Sequence, residues 1–153
     1  DKHITKDDIV VGFSASGTTP FVLSILKHCR KEGIPTGCIV NNPHSPIAEW
    51  ADYEVEVITG PEFVTGSTRM KAGTSQKLIL DMISTTLQIR QGRVEGNKMV
   101  NAKLINHKLI DRACRIFMER NSEYKDYEEV RQLILKAGSV KKAEMMISRH
   151  FDM

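Results

Sequence analysis

Asp8-Ile-Val-Val-Gly-Phe13 followed by Ser14-Ala-Ser-Gly-Thr-Thr-Pro20 decides the fold. The first six residues form a short apolar run and read as a buried strand. The next seven are turn residues rich in hydroxyls. Pro20 suits the first turn of a helix, where its missing N–H costs nothing. Apolar residues then recur at Phe21, Val22, Ile25, Leu26 and Cys29, which share one helical face, and Gly33 stops the helix. Strand, hydroxyl-rich turn and helix together make a βα unit.

The same pattern continues outward. Pro35 to Val40 reads as a second strand, β-branched toward its end. Asn41-Asn-Pro-His-Ser-Pro46 is turn chemistry, with Ser45 and Pro46 as cap and first residue of a short helix through Ala51. Tyr53 to Ile58 alternates charged and apolar residues, as an edge or half-exposed strand does. A long helix is predicted from Thr68 or Ala72 to Arg90, with Leu78, Ile79, Met82, Ile83 and Leu87 at helical spacing. Strands alternating with helices predict a parallel sheet with right-handed crossovers. Gly92 and Gly96 punctuate the end of that unit, and the chain then reads as wholly helical. One helix lies within Leu104 to Arg120, one runs from an Asp126 cap to Ala137 with Gly138 as its stop, and one follows a Ser139 cap. The predicted fold class is α/β: a parallel sheet sandwiched by helices over residues 1–97, then a small helical segment over 98–153.

Composition narrows the function. The chain has 153 residues, 41% hydrophobic and 27% charged, and a net charge of +3 with both signs interspersed, which argues against a nucleic-acid partner. No apolar run is long enough to span a membrane. Cys29, Cys38 and Cys114 form no CxxC pair and read as buried free thiols of a reducing cytoplasm. His44 and His107 lack partners at metal-ligand spacing, so no metal is expected. His28 and His150 read as solvated or half-buried, Met145 and Met146 as core filler.

Two stretches carry chemistry. Ser14 to Thr19 lies between a strand's C-terminal end and a helix N-terminus, where open α/β sheets bind ligands. It is not a P-loop, since no Gly-Lys-Ser/Thr ends it, and Gly12 and Gly17 lack dinucleotide spacing. Any capped βα turn also favours Ser, Gly and Thr, so the stretch alone leaves a capping cluster open. The second stretch is Gly60 to Lys77, GPEFVTGSTRMKAGTSQK. It brings Gly66 and Gly73, hydroxyls at Thr65, Ser67, Thr68 and Thr74, and the cations Arg69 and Lys71 to the front of an apolar helix. Such a loop suits an anion, and it equally describes a polar loop that caps a helix. Glu62 is its one carboxylate, either a general base with a raised pKa or an acceptor for a ligand hydroxyl or for loop amides; the acceptor role is preferred. Asn41 and Asn42, at the end of the second strand, either touch a ligand or form the turn, and the turn is preferred.

The run G-P-E, then G-S-T-R-M-K-A-G-T with a later Lys, resembles the signature of the family that joins N-acetylmuramic acid 6-phosphate etherases to glucokinase regulatory protein. The similarity extends from about Asp8 to the chain end and weakens after Asn121. Ser14 to Thr19 resembles the Ser-x-Ser-Gly-x-Thr loop of sugar isomerase (SIS) domains, which grip the phosphate of a phosphosugar. The resemblance implies Ser14, Ser16, Gly17 and Thr19 on the phosphate. It further implies Glu62, Ser67, Thr68, Arg69 and Lys71 around the rest of the substrate, with no cofactor. Thr18 stands where the etherases commonly carry Arg, which removes one cation. The resemblance places the acid–base glutamates, with a Gly-Thr-Ser-Gly-Arg loop, in a preceding half of the domain. Neither is found here, so the chain is expected to begin after them. Three strands are visible where the family implies about five, so the sheet is expected to be completed by another segment or subunit. A homodimer is the implied assembly, since SIS proteins commonly build sites across a dimer. A non-enzymatic phosphosugar sensor and an SIS-type transcription regulator remain alternative readings.

Overall fold

The computed structural model describes residues 3–151; Asp1, Lys2, Asp152 and Met153, and the side chains of Arg149, His150 and Phe151, lie outside the described residues. The chain divides into two compact units, Asp1–Met82 and Ile83–Met153.

The first unit is a three-stranded parallel sheet in the order β1 (Val10–Ser14), β2 (Thr36–Val40), β3 (Tyr53–Glu56). Helix α1 (Pro20–Lys31) connects β1 to β2. The pleat sorts the strands into two rows. Gly12, Cys38 and Glu54 are register partners and face α1, while Val11, Gly37 and Tyr53 face the other way. Gly12 is required here by close approach: a Cβ on it would lie 2.6 Å from Val22 Cγ1 and 3.1 Å from Leu26 Cδ1. Leu26, Cys38, Val40 and Ile47 form the buried core of this layer, with Val10, Val22, Leu23 and Trp50 packed around it. Every residue of β2 is buried, as the middle strand of a parallel sheet should be. Every residue of β3 is exposed, and β1 and β3 both stand at sheet edges.

The N-terminal end of β2 is pinned by a part-buried polar knot around buried Thr36. Thr36 Oγ1 has Asp52 Oδ2 at 2.8 Å and Trp50 O at 3.1 Å as acceptors for its one hydrogen, and Thr36 N donates to the same carboxylate at 2.9 Å. These bonds hold the Asp52 carboxyl below the usual range, the Thr36 backbone N–H first. The short helix expected after Ser45 is only a 3-10 turn at Ala48–Trp50. Ser45 does not cap it. Its hydroxyl donates to Asn42 O at 2.7 Å and is spent inside the preceding turn.

Helix α2 (Lys71–Arg90) runs across the division between the units. Its N-terminal turns carry its buried residue, Ala72, whereas Leu78, Leu80, Met82, Ile83, Leu87 and Ile89 are all exposed. No described helix is long and apolar enough to cross a membrane.

The second unit is not wholly helical. Val94–Glu95 (β4) and Lys98–Met99 (β5) pair as a small antiparallel hairpin around Gly96, whose φ is +59°. The boundary expected between residues 97 and 98 falls inside this hairpin turn. Helices α3 (His107–Arg120), α4 (Tyr127–Ala137) and α5 (Val140–Phe151) follow. Asn106 caps α3 through its side chain, and Asp126 caps α4 by accepting from Glu128 N at 2.8 Å and Glu129 N at 3.0 Å. Gly138 ends α4 with φ +81°, and Ser139 Oγ accepts from Lys142 N at 3.3 Å. Val100, Cys114, Phe117, Val130, Ile134 and Val140 fill the core. Phe117 meets Tyr124 edge to face at 5.3 Å. Arg120 bridges Glu144 at 2.6 Å and Glu95 at 2.7 Å, tying hairpin to helices. Met145 and Met146 are exposed rather than core filler: they lie on α5 beside Lys136 and Lys142, away from the buried side formed by Val140 and Ala143.

Candidate functional site

The hydroxyl loop sits at the C-terminal end of β1, where the sequence reading puts it. Ser14 is its hub. The side chain is 5% exposed, accepts from Gly17 N at 3.0 Å, and stands 2.8 Å from Thr19 Oγ1 and 3.5 Å from Ser16 Oγ. Ser16 Oγ lies 2.9 Å from Thr18 Oγ1 and accepts from Thr18 N at 3.3 Å. Four hydroxyls therefore interlock within six residues, with Ser16, Thr18 and Thr19 open to solvent. Hydroxyl hydrogens rotate, so such a cluster can redirect donors toward an oxyanion. Gly17 turns the chain with φ +70° and is buried.

A second layer braces this loop from beneath. Asn42 Nδ2 donates to Ala15 O at 2.8 Å, Asn41 N donates to the same oxygen at 3.1 Å, and Ile47 N donates to Gly17 O at 3.1 Å. His44 adopts φ +53° in the supporting turn and donates its N–H to Glu56 Oε1 at 3.0 Å.

The Gly60 stretch folds as tight turns that lead into α2. Ser67 N donates to Val64 O, Met70 N to Ser67 O, and Gly73 N to Thr68 O at 2.8 Å. Glu62 reaches along the stretch to the helix start: Oε2 accepts from Lys71 N at 2.8 Å and Oε1 from Ala72 N at 2.9 Å. A carboxylate thus occupies the free N–H groups at the positive end of the helix. These two amides, Ala72 first, hold the Glu62 carboxyl below the usual glutamate range. Proton abstraction asks for a raised pKa, so the geometry fits Glu62 as an acceptor for amides.

A cleft of about 200 Å³ joins the two stretches, with Ala15, Asn41, Glu62, Gly66, Thr68 and Ala72 among its lining residues. Arg69 and Lys71 are exposed and do not line it. Neither makes an ion pair among the described residues. Among the described residues no group of three or more His, Cys, Asp or Glu side chains is placed to hold a metal. Cys29, Cys38 and Cys114 are free and buried.

Sequence reasoning gave Asn41 to the turn after β2 and did not foresee its side-chain bonds. Only the fold brings Val57, Ser75 and Gln76 to its side chain; its place at the end of a buried strand was the available signal.

Comparison with known proteins agrees with this fold. The SIS domain family model matches residues 1–85. An N-acetylmuramic acid 6-phosphate etherase of Bacteroides thetaiotaomicron is 55% identical over 148 residues, 97% of this chain and 53% of the relative. One from Porphyromonas gingivalis is 55% identical over 139 residues, covering 90% of this chain and 50% of the relative. One from Yersinia pestis is 50% identical over 119 residues, 78% and 40% respectively. The chain spans about half the length of the curated relatives it matches. A solved crystal structure of a hypothetical protein shares the fold at TM-score 0.50 and 20% identity, over 60% of this chain and 53% of that one.

Proposed function

This chain belongs to the SIS-domain family, and from that premise we propose that it is the phosphate-binding part of an N-acetylmuramic acid 6-phosphate etherase. The observation that carries the proposal is the interlocked hydroxyl cluster of Ser14, Ser16, Thr18 and Thr19 at the C-terminal end of a parallel sheet. Relatives at 50–55% identity bear the etherase name, which supports the same reading. Ser14, Ser16 and Thr19 hold the 6-phosphate over Gly17. Ser67, Thr68, Arg69 and Lys71 complete the anion site or hold the lactyl carboxylate, and Glu62 fixes their loop to α2.

The whole enzyme would be a carbon–oxygen lyase of cell-wall sugar recycling, working in the cytoplasm as a homodimer. A base takes the C2 proton, which is acidic because the sugar opens to an aldehyde. D-Lactate leaves C3 with a proton from an acid, and water adds back to give N-acetylglucosamine 6-phosphate. The acid–base pair is assigned outside this chain. The part played here is positioning: binding the unreactive phosphate fixes the sugar for the proton transfer.

Calorimetric titration of the chain with N-acetylmuramic acid 6-phosphate tests the proposal, alongside an assay for released lactate. Saturable binding without lactate release is the expected result. Release by this chain would place the base inside it and overturn the assignment of the acid–base pair. Absence of binding by a folded sample would overturn the phosphate site itself.

A further inference from the structure

We propose that Asn41 is the positioning residue of this site, holding the hydroxyl loop and the α2 loop at a fixed separation; the proposal rests on the function proposed above. Asn41 follows the last residue of β2 and is 6% exposed. Its backbone N–H donates to Ala15 O at 3.1 Å, inside the hydroxyl loop. Its side-chain Nδ2 donates twice, to Val57 O and to Ser75 Oγ, each at 2.8 Å. Its Oδ1 accepts from Gln76 Nε2 at 2.9 Å. The amide therefore has both donor hydrogens used and its oxygen engaged.

These bonds form a continuous path between the two loops. Ser75 Oγ passes the connection on to Ala72 O at 2.7 Å, and Ala72 N is one of the two amides that Glu62 binds. The path runs from Ala15 through Asn41 and Ser75 to Ala72 and Glu62, along one wall of the cleft, which those residues other than Ser75 line. Asn41 does not need to touch a ligand to matter. A phosphosugar gripped by Ser14, Ser16 and Thr19 at one end and by the Gly60 stretch at the other requires the two ends at one spacing. Holding the two ends ready at that spacing spares the ligand the cost of ordering them on binding. The residue must be Asn rather than its near-isostere Asp, because a carboxylate has no hydrogen to give Val57 O and would set two acceptors against each other.

The test uses the intact chain as wild type, Asn41→Asp and Gln76→Met. Two readouts are taken at a temperature where all three are folded. The first is amide hydrogen exchange without ligand. Asn41→Asp should speed exchange at Gly17, Lys71 and Ala72, while the amides of β2 keep their protection. The second is affinity for N-acetylmuramic acid 6-phosphate against affinity for inorganic phosphate. The sugar phosphate, which spans both loops, should weaken by tenfold to roughly a hundredfold in Asn41→Asp, as when a buried hydrogen-bonding group is left unpaired, and inorganic phosphate, too small to span them, should weaken much less. Gln76→Met, which leaves both Asn41 donations intact, should fall between. Unchanged exchange at Lys71 and Ala72 would overturn the proposal, as would equal losses for the two ligands, which a merely structural role predicts. If the wild-type chain binds neither compound, the proposed function fails, and the exchange readout alone decides whether Asn41 couples the two loops.

Discussion

A Cβ built on Gly17 would lie 2.0 Å from Ser45 Oγ and 2.2 Å from Ser45 Cβ. The hydroxyl loop therefore lies directly on buried Ser45 of the turn that follows β2, with no room for a side chain. Gly17 also has φ +70°, a conformation that L side chains adopt only with strain. Gly17→Ala should destabilise the first unit by about 2–3 kcal/mol, combining strain and overlap. Adding Ser45→Gly removes the overlap and leaves the strain, so the double variant should recover part of the lost thermal midpoint. No recovery at all would assign the whole effect to the backbone.

Ser14→Ala isolates the hub of the cluster. It removes the acceptor for Gly17 N and the neighbour of Thr19 Oγ1 while leaving backbone bonds intact. Hydrogen bonds to charged groups contribute about 1.5–3 kcal/mol, so phosphosugar affinity should fall by roughly tenfold to a hundredfold. Thr18→Ala should fall less, because Thr18 meets the cluster only through exposed Ser16. Calorimetry on both variants checks the order, and a Ser14→Ala chain that binds like wild type would remove the phosphate from this loop.

Glu62 gives the helix start a pH dependence of known sign. Its carboxyl is held down in the folded chain by the Ala72 and Lys71 amides. Such a group contributes its full stabilisation above its unfolded pKa and loses it as pH falls through the lower folded value. The amides of Lys71 and Ala72 should therefore exchange faster as pH drops below the ordinary glutamate range, after correction for intrinsic rates. Glu62→Gln should flatten that dependence and show faster exchange already at neutral pH.

In the helical unit, two substitutions should differ several-fold in cost. Phe117 is fully buried in the core and stacked edge to face on Tyr124, and Phe117→Ala should cost about 3–5 kcal/mol. Asp126→Ala loses only the cap on two amides and should cost about 1 kcal/mol. Denaturant melts of the two variants check the ratio.

Most of the fold was legible because its signals are local. The βα unit around Ser14, the cap at Asp126 and the stop at Gly138 each declare themselves within a few residues. The hairpin at Val94–Met99 did not, because strands of two residues are too short to display any period. Ser45-Pro46 carried a helix-start signal that failed, since the Ser45 hydroxyl had a nearer carbonyl to bind. At the site, the hydroxyls of Ser14 to Thr19 were readable from composition. The link from Asn41 to Gln76 spans 35 residues, and no local pattern announces a bond that only tertiary folding creates.

The three thiols carry a practical consequence. Cys29, Cys38 and Cys114 are buried and free, and burial pushes the Cys38 and Cys114 thiols up. Alkylating reagents attack thiolates that they can reach. The native chain should be nearly silent toward maleimides at neutral pH, so a lone cysteine placed at exposed Thr18 becomes the one point that takes a fluorophore. The molecule thus arrives with a dark background, ready to report the filling and emptying of its own hydroxyl loop in real time.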